Sequence, residues 1–377
     1  MSTGWSVSLS SLPACDEPRL PAPRGRALGS SPTLTDVPVI WARVEEIVAS
    51  LENVEGLRQH GLELIAPRVW RERGRHVPTQ LRVEERRAAM VALAVPALLE
   101  RVTAAYGGSL VLMKGPEAAA RYPHPGDRGF CDLDFLADDP DRAHRALVAA
   151  GFVEVGEPAR YERAHHLRPL AWPDLPLFIE LHREVNHPDW LVAPPTHELL
   201  ELSEPSATGV AGLRAPIPAA HAVLLAVHGW AHEPLRRLMD VIDVAVVVGD
   251  EHRGLAAELA RRWRLERVWQ TTIAAADALL RDARRGVALR TWARHLAAVR
   301  ERTVLETHVT RWAGPVWGLP SARLRAVGDG TLIFTGAARP RAEEGWTDAM
   351  RRTRLALRDA FHPQSQHDVI KESRTGR

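Results

Sequence analysis

"LVLMKGPEAAARYPHPGDRGFCDLDFLADDPDRAHRALVAAGF", residues 110–152, holds two kinds of hydrophobic pattern in one short span. "SLVLM", ending at Met113, has the composition of a buried strand, and Lys114-Gly115-Pro116 then breaks it. Proline is favoured at a first helical position, so "EAAARY" reads as the start of a helix. "CDLDFLA" is a second apolar strand and "DPDRAHRALVAAGF" a compact helix. Strand, turn, helix, strand and helix in this order predict a mixed α/β segment on a small sheet.

The polar residues of this span fall where the elements end. A strand that runs through a glycine turn into a helix leaves backbone N–H groups free to meet phosphate oxygens. Gly115 permits close approach, and Lys114 adds a point charge. Lys114 is a notable choice of residue: the chain has 49 Lys and Arg, and only Lys114 and Lys371 are lysines. Asp132 and Asp134 are two apart in a strand, hence on one face and roughly 6.6 Å apart at about 3.3 Å per residue. Paired carboxylates on a buried strand repel one another and are costly to desolvate, so they call for cations. Hard oxygen donors at this density favour Mg²⁺ or Mn²⁺. In "LFIELHRE", Glu180 shares a strand face with Phe178 and His182 and supplies a third acid if that strand lies beside Asp132. Arg128, in "PHPGDRGF", is placed to offset phosphate charge in the same space.

Outside this span, helical periodicity returns. Residues 38–106 carry Leu, Val and Ala at spacings of three and four, with Pro96 expected to kink that helix or begin a new one. "FVEV", "YERAHHL" and "LFIELHRE" read as further strands. After "NHPDWLVAPP" the chain turns helical again, through "PAAHAVLLAVHGWAH", "LRRLMDVIDVAVVVG" and "WTDAMRRTRLALRDAF". The expected organisation is a disordered Ser/Pro-rich leader over 1–37, an α/β core with N-terminal helices over 38–200, a helical domain over 201–362 and a disordered tail over 363–377.

Composition narrows the function classes. The chain is 45% hydrophobic and 25% charged with a formal net charge of +2, so no global field selects nucleic acid or an anionic surface. The string "RRWRLERVW" is interrupted by Glu266, and helical spacing spreads its arginines. Two cysteines, Cys15 and Cys131, exclude a disulfide framework and a four-cysteine zinc site and fit a reducing cytoplasm. No secretory signal pattern opens the chain, and no uninterrupted run of eighteen apolar residues follows, so no membrane role is expected. His228 and His232 are four apart on one helix, but "HGWAH" lacks the glutamate that a zinc protease places after its first histidine.

Taken together, "LMKGPEAAARYPHPGDRGFCDLDFL", "RAHRALVAAGF" and "IELH" resemble the bacterial nucleotidyltransferase-like family of the DNA polymerase beta superfamily, with a weaker likeness through "LLAVHGWAHEPLRRLMDVIDVAVVV". The resemblance covers about residues 80–250 and departs from the usual pattern in having Gly115-Pro116 where Gly-Ser or Gly-Gly is common, and a longer gap to Asp132. It implies an α/β (α+β) nucleotidyltransferase core with helical flanks. It also implies that Asp132, Asp134 and Glu180 hold Mg²⁺ or Mn²⁺ and carry catalysis, and that Lys114, Gly115 and Arg128 bind the triphosphate of ATP or another NTP. Transfer would be of a nucleoside monophosphate onto a small molecule, peptide or protein, with RNA the acceptor least favoured. A non-catalytic nucleotide- or partner-binding member, or a phosphoryl transferase on the same site, are the alternatives.

Overall fold

The computed structural model describes residues 37–318 and 346–362, apart from 163, 174, 176, 189, 287, 288, 291 and 292. The expected tail over 363–377 and the leader up to residue 36 lie outside the described residues. Four helices come first: α1 (Val37–Ser50), α2 (Val54–Gln59), α3 (Ile65–Glu72) and α4 (Thr79–Ala105). The sheet then begins with β1 (Leu110–Leu112), followed by the short α5 (Pro116–Ala119), β2 (Asp132–Ala137), α6 (Pro140–Ala149), β3 (Val153–Glu154), β4 (Leu170–Ala171) and β5 (Phe178–His182). After α7 (Thr196–Glu201) come β6 (Ser203–Pro205) and β7 (Leu213–Pro216), and then α8 (Pro218–His232), α9 (Leu238–Val248), α10 (Arg253–Arg262) and α11 (Glu266–Leu280). Three further helices are described, Arg294–Ala298, Val304–Gly318 and Trp346–Asp359.

The seven strands form one mixed sheet in the order β3-β4-β5-β2-β1-β7-β6. β2 lies antiparallel to β1, with Leu112 opposite Phe135, and parallel to β5, with Asp134 opposite Glu180. Pleating sends alternate residues to opposite faces. Leu110, Leu112, Leu133, Phe135 and Ile179 join one buried core, with Leu98 and Leu99 of α4 and Leu147 of α6. Val111, Met113 and Leu136 join another, with the apolar residues of α8 and α9. Asp132 and Asp134 share the parity of Leu136 and are therefore on the face covered by α8 and α9.

Local sequence explains the elements that frame the site. Asp139 caps α6 by accepting from Arg142 N at 2.9 Å, with Pro140 at the first helical position. α8 and α9 are apolar on nearly every side and buried on nearly every side, as helices inside a large core must be.

Three local expectations change. Of the two roles expected for Pro96, beginning a new helix is not taken: α4 runs continuously through it, with the proline on the exposed side of the helix. "AHHL" is not a strand, and only His166 forms an isolated bridge, to His182. β6 and β7 extend the sheet past residue 200, in a stretch read as helical; they are so short and proline-bearing that no periodicity marks them. α4 is also, by length and composition, long and apolar enough to cross a bilayer, yet only 22% of its most apolar stretch is buried. It is thus not an ordinary core helix.

Candidate active site

β1 delivers Lys114 to the site. The strand ends at Leu112, and Gly115 turns the chain at φ 64°, a left-handed conformation that suits glycine. A side chain there would bring its Cβ to 3.3 Å from Asp132 O, so the turn is closely packed against β2. Met113 N donates to Asp134 O at 2.9 Å and fixes the register of the two strand ends.

Lys114 Nζ lies 3.0 Å from Asp134 Oδ1 and 3.1 Å from His228 Nε2. His182 Nε2 approaches the same Asp134 Oδ1 at 2.9 Å and Glu180 Oε2 at 3.7 Å. Burial alone would push the Asp134 carboxyl up, but the Lys114 ammonium and the His182 hydrogen bond outweigh it and hold the group far below the usual carboxylate range. Burial likewise opposes the charged form of His182, and the hydrogen bonds to Asp134 and Glu180 overcome it, raising the imidazole. Glu180 is lowered, its burial outweighed by His182. His228 moves the other way: burial, then the neighbouring Lys114 charge, depress it strongly, leaving a neutral ring whose Nε2 accepts from the ammonium. Asp134 Oδ2 is buried and has no hydrogen-bond partner.

Asp132 sits differently. It lines an open cleft of about 580 Å³ together with Lys114, Gly115, Arg87, His228 and Arg237, whereas Asp134 and His182 are buried and Glu180, half-buried like Asp132, does not line that cleft. Burial and the Asp134 charge both raise its carboxyl. Donor atoms of Asp134, Glu180 and His182 fall within 4.8 Å of one another, a spacing that fits a metal ion. The β2–β5 pairing thus brings Asp134 and Glu180 together as neighbours, with Asp132 one step nearer the cleft mouth.

Arg128 is engaged by a partner that no motif announced. Its Nε and Nη2 donate to the two oxygens of Asp243 at 2.8 Å each, and Tyr122 OH donates to Asp243 Oδ1 at 2.6 Å. Nη1 reaches Gly115 O at 3.3 Å, so the guanidinium braces the glycine turn from the helical side. Asp243 was legible as an acid inside the apolar run "LMDVIDVAVVV", in the segment that carries the weaker part of the resemblance, but nothing paired it with Arg128. His182 was legible by alternation in "FIELH", which placed it on the Glu180 face without a role. The His228–His232 pair is a T-shaped contact at 4.9 Å, with His228 turned to Lys114 and not to a shared metal.

The sheet, its two carboxylates on one strand and the third on the neighbouring strand define a nucleotidyltransferase-like α+β protein. A family model described as an uncharacterised nucleotidyltransferase matches residues 39–281, and the chain belongs to that family. No curated protein and no solved structure matches it.

Proposed function

We propose that the protein transfers a nucleoside monophosphate from a nucleoside triphosphate, ATP being the first donor to test, to an acceptor nucleophile, in the cytoplasm where such donors abound. The observation that carries this is Asp134 Oδ2, a buried carboxylate oxygen left without a partner beside two further carboxylates, an arrangement that suits a divalent cation. Asp132, Asp134 and Glu180, with His182, would hold Mg²⁺ or Mn²⁺, which when bound supplies charge neutralisation at the phosphates and activation of the acceptor oxygen. Lys114 offers its ammonium to the triphosphate oxygens. Gly115 lets the phosphate chain come close, and Arg128 keeps that turn in place. Asp132, which faces the cleft, is the group placed to receive the acceptor proton on the carboxylate oxygen a cation leaves free, as the acceptor oxygen bonds to the α-phosphorus and pyrophosphate departs.

The test is incubation of the purified protein with α-labelled triphosphates, Mg²⁺ or Mn²⁺ and cell extract. A labelled acceptor and free pyrophosphate are expected, with both lost in Asp132→Asn and Asp134→Asn. Release of inorganic phosphate in place of pyrophosphate would move the assignment to phosphoryl transfer. A non-catalytic nucleotide binder has one observation in its favour, since Lys114 already gives Asp134 a cation; binding without turnover under either metal would support it.

A further inference from the structure

Beside the cleft lies a second concavity of about 410 Å³, lined by Val83, Met90, Val91, Ala94, Leu175 and Leu177, with Arg86 and Arg87 at its rim. Val83, Arg87, Met90 and Ala94 recur at four, three and four and so form one stripe of α4. The stripe is open: Val83 is 49% and Met90 72% exposed. An exposed, carbon-lined hollow of this size is within the range that holds small ligands, and isolated surface apolar residues do not make one.

Two features tie the hollow to the site. Arg87 and Val91 line both it and the cleft that contains Lys114 and Asp132, so the two spaces adjoin across these two side chains. Leu177 lies one residue before β5 and packs with Ile179 on the α4 side of the sheet, so the hollow opens at the end of β5 where Phe178 pairs with Asp132 at the start of β2. A molecule with its apolar part in the hollow has the Asp132 carboxylate on the far side of Arg87 and Val91, within the adjoining cleft. The donor's phosphates are taken by Lys114 and the Gly115 turn, and the hollow's lining has, among the described residues, no aromatic ring to stack a base and no amide or hydroxyl side chain to read its edge, so it suits the acceptor and not the donor's nucleoside.

We propose that this groove seats the alkyl or aryl part of the acceptor, a small amphiphile whose hydroxyl extends past Arg87 to Asp132. The inference rests on the nucleotidyl-transfer reading for the word acceptor, but the groove itself is tested without it. The chain has five methionines, so methionine-methyl ¹³C labelling gives few signals, and Met90 is the one that lines the groove. With 4-phenylbutyrate and octanoate as probes, the Met90 signal should shift saturably while that of Met350 stays. Filling the groove with Ala94→Phe or Val83→Phe should weaken the shift about tenfold, as expected when apolar contact is blocked. No Met90 response to either probe, or an undiminished one in both variants, overturns the groove. In extract labelling, the labelled product should be a small molecule retained on a reversed-phase column, formed less in Ala94→Phe while triphosphate binding is unaltered. A labelled peptide, protein or unretained polar product overturns the acceptor class. If the wild-type protein neither binds nor consumes any triphosphate, nucleotidyl transfer is what fails, and the Met90 signal alone decides the groove.

Discussion

Lys114 Nζ stands 3.0 Å from Asp134 Oδ1, and that contact supplies the largest compensation for the burial of a carboxylate that is only 1% exposed. Removing it leaves a buried negative charge compensated by His182 alone. Lys114→Met should therefore destabilise the fold by about 3–5 kcal/mol, the cost of breaking a buried pair. Divalent cations should restore more of the melting temperature in the variant than they add to the wild type, because the cation then replaces the ammonium. Thermal unfolding with and without Mn²⁺ reads this directly. Triphosphate affinity, measured by calorimetry, should fall as well; an unchanged affinity would confine Lys114 to holding Asp134.

His182 should make the site prefer Mn²⁺ to Mg²⁺. An imidazole within 4.8 Å of the Asp134 and Glu180 oxygens is a donor that Mg²⁺ uses poorly and Mn²⁺ accepts. The ring is held protonated above its ordinary range by the two carboxylates, so metal must displace a proton and affinity should rise with pH until His182 is neutral. His182→Gln should narrow the difference between the two metals and flatten the pH dependence. Titration of Mn²⁺ by electron paramagnetic resonance at several pH values measures both, and equal affinities for the two ions in the wild type would refute the donor role.

The sequence was most informative where one residue type repeats at a fixed spacing. Alternation in "CDLDFLA" and "FIELH" was enough to pair Asp132 with Asp134 on one face and to put Glu180 beside His182, and β2 and β5 do lie side by side. What alternation does not report is depth. Asp132 and Asp134 share a face, yet one opens to the cleft and the other is sealed beneath Lys114, because helices remote in the chain cover the strand unevenly. Long-range partners were illegible for the same reason: Arg128 and Asp243 are 115 residues apart, and nothing local to either names the other. β6 and β7 escaped notice because three- and four-residue strands give too few positions to establish a period.

The Arg128–Asp243 pair should behave as a brace for the glycine turn. Asp243→Asn leaves the guanidinium, 10% exposed, without its counter-charge, and a loss of about 3–5 kcal/mol is expected. Tyr122→Phe removes one hydrogen bond to the same carboxylate and should cost about 1 kcal/mol. A double-mutant cycle of Arg128→Met with Asp243→Leu should show strong coupling, since both ends of the pair leave together. If the brace matters to the site, the variants that still fold should bind triphosphate more weakly, through Gly115, even though Asp243 contacts the turn only by way of Arg128. Additive stability losses would dissolve the pair as a unit.

Two buried histidines should make the fold acid-labile well above the carboxylate range. His60 donates from Nε2 to Arg300 O at 2.9 Å and accepts at Nδ1 from Leu238 N at 3.3 Å, and burial pushes it down from 6.5 to about 4. His295 Nε2 pairs with Arg236 O at 3.0 Å, and burial followed by Arg302 takes it to about 3. Both folded values lie below the unfolded one, so above pH 6.5 neither state binds the proton and stability is complete. As pH falls below that point the unfolded chain takes up protons that the folded chain refuses, and stability drops by about 1.4 kcal/mol per pH unit for each histidine. Between pH 7 and pH 5 the pair should cost roughly 4 kcal/mol. Buried acids such as Asp127 and Glu117, raised by burial, titrate with the opposite sign, so the comparison that isolates the histidines is wild type against His60→Gln. Glutamine can donate to Arg300 O and accept from Leu238 N without titrating. Urea unfolding across this range should show a slope smaller by about 1.4 kcal/mol per pH unit in the variant, the rest of the slope staying with His295 and with His165, His221 and His228, which burial also depresses, and identical slopes would mean that His60 is already protonated in the folded chain.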